Sequence, residues 1–139
     1  MCLQSLAVLT LVYPVPRDER RKRSYKLHEL SLVNSIYDII IEKIGEYNVS
    51  KVTQVKLVIG ELAGIEDLVL RSCFEMFVQA TPIEGAELVI EHVPVKLRCR
   101  KCGNEYEADI PFTKCPLCRK DDYEIIGGKE FYISSLQVE

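Results

Sequence analysis

The chain has 139 residues, 47% of them hydrophobic, which is enough for one compact domain with a small appendage. No apolar run is long enough to span a bilayer, so the sequence reads as a soluble protein with no membrane partner. The net charge of −3 hides a split, with six Lys/Arg against two Asp/Glu in residues 1–27 and twelve against nineteen in residues 28–139, and so acidic a body argues against a nucleic-acid partner.

Residues 1–26 differ from the rest. Met1 to Val15 is apolar without a preceding positive region, Pro14 and Pro16 break any helix, and a basic cluster from Arg17 to Lys26 follows. The expectation is an extension that is disordered or belongs to a mis-annotated start. The natural chain would then begin at Leu27, from a leucine codon read as methionine at initiation. Arg20-Arg21-Lys22-Arg23-Ser24 would be a translated purine-rich ribosome-binding site.

From Leu30 onward apolar residues recur at Leu30, Val33, Ile36, Tyr37, Ile40, Ile41 and Ile44, the stripe of an amphipathic helix. Asp38, Glu42, Lys43 and Glu46 fall mostly on its other side, and Gly45 and Asn48 suit its end. Lys51 to Leu62 alternates as a strand, with Val55, Leu57 and Ile59 on one face, and Gly60 and Gly64 punctuate the turn after it. A second helix is predicted over Glu66 to Ala80, burying Leu70, Phe74, Phe77 and Val78. Ala86 to Leu97 reads as a second long strand, Gly127-Gly128 as a hinge or turn, and Lys129 to Val138 as the last strand. The order predicts an α+β fold: a three-stranded sheet covered by two helices, with a small zinc-ribbon module inserted before the last strand. The boundaries follow as 27–97 plus 127–139 for the α/β domain and 98–126 for the ribbon.

Six cysteines would suit a disulfide scaffold in an oxidising compartment, yet four stand in two C-x-x-C pairs, which favours metal in a reducing cytoplasm. Cys99 and Cys102 form the first pair, and Cys115 and Cys118 the second, twelve residues further on. Each pair aims two thiolates at one point, and four sulfurs complete a tetrahedron suited to zinc, with rubredoxin-like iron as the rival. A closed four-thiolate sphere leaves no open position, so the site reads as structural and supplies the folding free energy of a module too small to bury its own core. Gly103 follows the first pair at the usual turn position, and Arg119 follows the second. Cys2 and Cys73 are left over, and Cys73 reads as a small core residue.

Only two histidines exist, His28 and His92. His92 is either a plain strand histidine or an auxiliary ligand, and Glu61 either a turn acid or a support for a metal loop. No nucleophile–base pair, phosphate loop or paired carboxylates appear, so nothing points to an enzyme. A zinc-ribbon module binding a protein or nucleic acid is the alternative reading. The ribbon's six basic and six acidic residues over 98–124 lack the basic footprint of a nucleic-acid binder.

Leu27-His28-Glu29-Leu30-Ser31, Gly60-Glu61-Leu62-Ala63-Gly64-Ile65, Ile83-Glu84-Gly85-Ala86-Glu87-Leu88, the two cysteine pairs and Gly128-Lys129-Glu130-Phe131-Tyr132-Ile133 follow one another in order. Over residues 27–139 this set resembles the HypA/HybF hydrogenase nickel-incorporation metallochaperones, whose chains begin Met-His-Glu. The resemblance implies a helix–sheet module that binds Ni2+ at Leu27, His28 and Glu29, a ribbon that holds structural zinc, and nickel as transient cargo. It also implies delivery to the large subunit of nickel–iron hydrogenase, with urease served by some relatives, a nickel-handling maturation GTPase as partner, and a monomer or homodimer. An amine, an imidazole and ionisable backbone amides in one short loop suit square-planar Ni2+. That chemistry needs a free amine at position 27, which a chain continuing through Lys26 lacks.

Overall fold

A computed structural model describes residues 7–15, 25–109, 112 and 114–139, with the side chains of 25–28 outside the description. The elements are β1 (Ala7–Pro14), α1 (Tyr25–Glu46), β2 (Val52–Gly60), a 3-10 turn (Glu61–Ala63), α2 (Asp67–Phe77), β3 (Glu87–Val93), β4 (Val95–Cys99), β5 (Glu105–Ala108), β6 (Tyr123–Gly127) and β7 (Phe131–Val138). Two sheets result, ordered β1-β7-β2-β3 and β5-β4-β6. The class is α+β, with two helices, a sheet, and four cysteines grouped for a metal, as the sequence pattern implies.

The chain divides into two units, Met1–Leu57 with Ile65–Ile90 and Tyr132–Glu139, and Val58–Gly64 with Glu91–Phe131. In the first, α1 buries Leu32, Val33, Ile36, Ile39, Ile40 and Ile44, so the predicted stripe is turned toward Leu32 and Ile39, while Leu30 stays exposed and Tyr37 and Ile41 half-buried. The helix ends after Glu46, and Asn48 takes a left-handed φ of 52° on the way out. From α2, Leu70 and Phe74 are buried, as is Val78 just beyond its end. Phe77 stays 36% exposed, its ring edge-on to Tyr37 with centroids 5.2 Å apart. The Arg71 guanidinium donates to the Leu88 carbonyl, which ties α2 to β3.

Two expectations about extent are corrected. The predicted strand from Ala86 to Leu97 is two strands in different sheets, because Pro94 has no N–H to continue a ladder. The sheet holding α1's partners has four strands where three were expected, because Ala7–Pro14 pairs antiparallel with β7, from Ala7 opposite Val138 to Pro14 opposite Tyr132. This uncharged stretch, rich in leucine and valine, fits an open sheet edge, and Lys43 lies over the Tyr13 ring, 5.2 Å from its centroid. A wholly disordered extension is therefore not what the described residues show, while residues 1–6 and 16–24, Cys2 included, lie outside them. The compact unit that contains the cysteine module takes in residues 58–64 and 91–131, beside the ribbon span of 98–126 read from the sequence.

The reason residues 58–64 join that unit is local. Gly60 N–H donates to the Glu130 carbonyl and Leu62 N–H to the Gly128 carbonyl, both at 2.7 Å. A Cβ on Gly60 would stand 2.1 Å from the Gly128 oxygen, so the two backbones touch where only glycine fits. Gly128 itself has φ 111° and turns the chain from β6 into β7, with its N–H held by the Glu130 carboxylate at 2.8 Å. Residues 58–64 thus belong to the second unit, and Leu62 packs with Tyr106, Phe112 and Tyr123 onto the buried Val95, Leu97 and Ala108.

Candidate metal centre

Strand β4 is central in the small sheet and its two faces do different work. Val95, Leu97 and Cys99 point inward, while Lys96 and Arg98 point to solvent. On the outer face Arg98 stands opposite Glu105 on β5 and Glu124 on β6, and its guanidinium reaches both, at 2.9 and 3.1 Å. Lys96 adds a pair with Glu105 at 3.5 Å, and Arg100 and Lys101 both reach Asp122. Hydrogen bonding from Arg98 and the charge of Lys96 hold the Glu105 carboxyl below its usual range. Lys96, Arg98, Arg100 and Lys101 are thus each held against a carboxylate, with Glu105 and Asp122 each shared by two cations.

Cys99 ends β4 and opens the first knuckle. Its N–H donates to the Asn104 carbonyl at 2.8 Å, and Gly103 N–H returns to the Cys99 carbonyl at 2.9 Å. The second knuckle repeats the pattern, Cys115 N–H to the Lys120 carbonyl at 3.1 Å and Arg119 N–H to the Cys115 carbonyl at 2.8 Å. Gly103 and Arg119 occupy equivalent slots with φ of 77° and 60°. The second knuckle therefore makes the same left-handed turn as the first, with an arginine bearing the strain that glycine avoids.

The four sulfurs converge. All ligand atoms lie within 4.8 Å of one another, with Cys99 to Cys118 at 3.4 Å and Cys102 to Cys115 at 3.6 Å. A tetrahedron with metal–sulfur bonds of about 2.3 Å has edges of about 3.8 Å, so the set fits a zinc-sized ion. None of the four is in a disulfide. Backbone N–H groups point at each sulfur: those of Cys102 and Lys101 at Cys99, of Asn104 at Cys102, of Cys118 and Leu117 at Cys115, and of Lys120 at Cys118. The Asn104 side-chain amide adds a contact to the Cys115 sulfur at 3.8 Å.

Without a cation these thiols split. Donation from the Cys118 N–H draws Cys115 down to about 6 against burial, and Cys99 is lowered in the same way by the Cys102 N–H. The Asn104 N–H favours the Cys102 thiolate, but burial and the neighbouring sulfurs outweigh it and push Cys102 up to about 12. Four thiolates this close ionise together only when a metal balances them, so the donor set calls for a soft divalent cation.

The other site residues lie elsewhere. Leu27 and His28 fall on the first turns of α1, and their side chains are outside the described residues. Glu29 is buried, 5% exposed, and its Oε2 has no hydrogen-bond partner among the described residues. His92 is on β3, exposed but engaged, and Glu61 opens the 3-10 turn. Sequence reasoning missed Asn104, although its place two residues after Cys102 was a usable signal. No helix among the described residues is long and apolar enough to cross a membrane.

Comparison with known proteins gives one consistent answer. Residues 27–138 match the family described as hydrogenase/urease nickel incorporation, metallochaperone, hypA. Hydrogenase maturation factor HypA of Caldanaerobacter subterraneus subsp. tengcongensis is 41% identical over 114 residues, covering 81% of this chain and 100% of that protein. Its counterpart in Desulfitobacterium hafniense (strain DSM 10664 / DCB-2) is 40% identical over 113 residues, covering 81% and 99%. The solution structure of the Ni metallochaperone HypA from Helicobacter pylori aligns with TM-score 0.57 and 25% identity over 79% of this chain and 96% of that one. A second, titled solution structure of HypA protein, aligns with TM-score 0.63 and 25% identity over 81% and 97%.

Proposed function

This chain belongs to the HypA family of hydrogenase/urease nickel-incorporation metallochaperones, maturation factors and not enzymes, and from that premise we propose that it carries Ni2+ at Leu27, His28 and Glu29 and keeps zinc at the four cysteines. The observation that carries the nickel reading is the reach of the family match, which starts at residue 27 and so takes in Leu27-His28-Glu29. The buried Glu29 carboxylate supports it, since an oxygen without a partner among the described residues, in the first turns of a helix, favours a nearby cation. In a chain starting at Leu27 the amides of His28 and Glu29 fall among the helix's first N–H groups, which have no intrahelical acceptor. They are then free, with the terminal amine and the imidazole, to face a square-planar ion.

The proposed course of events is capture of Ni2+ at this end, handling with a maturation GTPase in the cytoplasm, and release to the large subunit of nickel–iron hydrogenase or to urease. The four-thiolate zinc stays in place throughout and holds the second unit. The nucleic-acid alternative has little support, because the cationic residues of β4 are already paired with carboxylates.

Metal analysis with Ni2+ titration of the 1–139 and 27–139 forms tests both parts. One tightly held zinc in each is expected, with nickel binding at about micromolar Kd or tighter in the shorter form only. His28→Ala in the shorter form should abolish it. Equal nickel binding by the 1–139 form refutes the amine requirement, and iron at the cysteines refutes the zinc assignment.

A further inference from the structure

The two knuckles are copies of one another in backbone. The same turn, the same left-handed slot and the same N–H donors recur around Cys99/Cys102 and Cys115/Cys118. Those donors come with the turn, whatever side chains the knuckles carry. The copies part company at the residue after the slot, which is Asn104 in the first and Lys120 in the second. Asn104 is half-buried and bonds in three directions. Its carbonyl accepts from Cys99 N–H at 2.8 Å, its N–H serves the Cys102 sulfur, and its side-chain amide crosses to the Cys115 sulfur at 3.8 Å. One residue of the first knuckle therefore holds a sulfur of the second.

This matters in a protein that meets nickel. Four thiolates can also take Ni2+, although Ni2+ prefers square-planar donors and the tetrahedron suits Zn2+. Replacement of one dication by the other leaves the charge of the site unchanged, and the rate of exchange depends on how easily a sulfur swings away to admit the incoming ion. Resting on the zinc reading above, we propose that Asn104 is the positioning residue that locks Cys115 in place and so protects the resident zinc from exchange with Ni2+. Its amide N–H withdraws charge from the sulfur and restrains its rotation, as partners behind metal ligands do elsewhere, where their loss weakens metal binding 10- to 100-fold.

The test uses the full chain loaded with zinc, as the parent, Asn104→Ala and Asn104→Asp. Each is challenged with excess Ni2+, and zinc in the protein-free filtrate is followed with time. Exchange should be about 10- to 100-fold faster in Asn104→Ala, and at least as fast in Asn104→Asp, which sets a carboxylate against the thiolate. Loading the same proteins with Co2+ reads the bond directly. Loss of the N–H leaves Cys115 a better electron donor, so the thiolate-to-cobalt charge-transfer band should move to lower energy in both variants while the tetrahedral ligand-field bands persist. Exchange within twofold of the parent in Asn104→Ala overturns the proposal, even if Asn104→Asp is fast, because charge repulsion alone would then explain the latter. An Asn104→Ala protein that cannot form the tetrahedral cobalt site also overturns it, since the residue would then build the site and not lock it. Absence of zinc from the parent refutes the zinc assignment instead, and the cobalt comparison still judges Asn104.

Discussion

Gly60→Ala adds one methyl group and should dismantle the second unit. The φ of −74° at Gly60 suits any residue, so the substitution brings no backbone strain of its own. The new carbon would lie 2.1 Å from the Gly128 oxygen, 2.2 Å from its carbonyl carbon and 2.7 Å from a Glu130 carboxylate oxygen. Relief needs a retreat of more than about 1 Å between backbones, since ordinary carbon contacts start near 3.4 Å. That retreat breaks the 2.7 Å bonds from Gly60 to Glu130 and from Leu62 to Gly128. Two donors left unmet cost about 1–3 kcal/mol each, and the stiffer unfolded chain returns about 0.4–1. A net loss of about 1–5.6 kcal/mol follows, centred near 3. Urea denaturation of the metal-loaded chain, with hydrogen exchange at the Leu62 amide, reads it. Gly45→Ala is the matched control. Its Cβ meets nothing within 4 Å, and it lies inside α1, so it should add about 0.5–1 kcal/mol. If Gly60→Ala stays within about 1 kcal/mol of the parent, the steric reasoning is wrong.

Arg119→Gly should raise the second unit's thermal midpoint by the equivalent of about 0.5–1 kcal/mol, by relieving a left-handed arginine at some loss of unfolded-state entropy; an unchanged or lower midpoint speaks against the equivalence with Gly103. Chelating the four-cysteine metal removes on the order of 10 kcal/mol from the second unit, so amide protection around Val95 and Leu97 should vanish while that of Ile36 and Ile40 persists, and joint loss of both would contradict the division into units. Glu105 is expected to titrate below its ordinary 4.5 in the folded chain, chiefly because Arg98 hydrogen-bonds its ionised form. A depressed folded value means that the pair's stabilisation is present above the unfolded value and lost as pH falls through the folded one; NMR titration should show the midpoint moving up in Arg98→Met, and no movement would remove Arg98 as the cause.

Local pattern carried the reading where one face of one element decides the outcome. Val33, Ile36, Ile40 and Ile44 of the helix stripe and the alternation of Val55, Leu57 and Ile59 are periodic signals that reappear as buried faces, while Leu30 at the head of the stripe is exposed. The cysteine spacing is a geometric statement on its own, and the sulfurs do converge. What failed were features decided by long-range pairing. Pro94 marks a break in the ladder but not which sheet each flank joins, and Gly60 looks like an ordinary turn glycine until Gly128, far along the chain, is placed against it. Phe77 fits the apolar stripe of α2 but sits where the helix ends, so it meets Tyr37 edge-on and stays partly wet. Asn104 stands at a telling place after Cys102, but its reach to a sulfur of the other knuckle shows only once the two knuckles are placed together.

Strand β1 has a practical corollary. Most of its side chains are exposed, Val8 at 59% and Val12 at 76%, so it adheres to β7 mainly through its ladder of backbone bonds. A preparation beginning at residue 27 would present the outer rim of β7 bare, a row of N–H and C=O groups that any extended chain can zip onto. The two preparations should differ in colloidal behaviour before they differ in chemistry: the shorter one should need dilution, or a bound client, to stay dispersed.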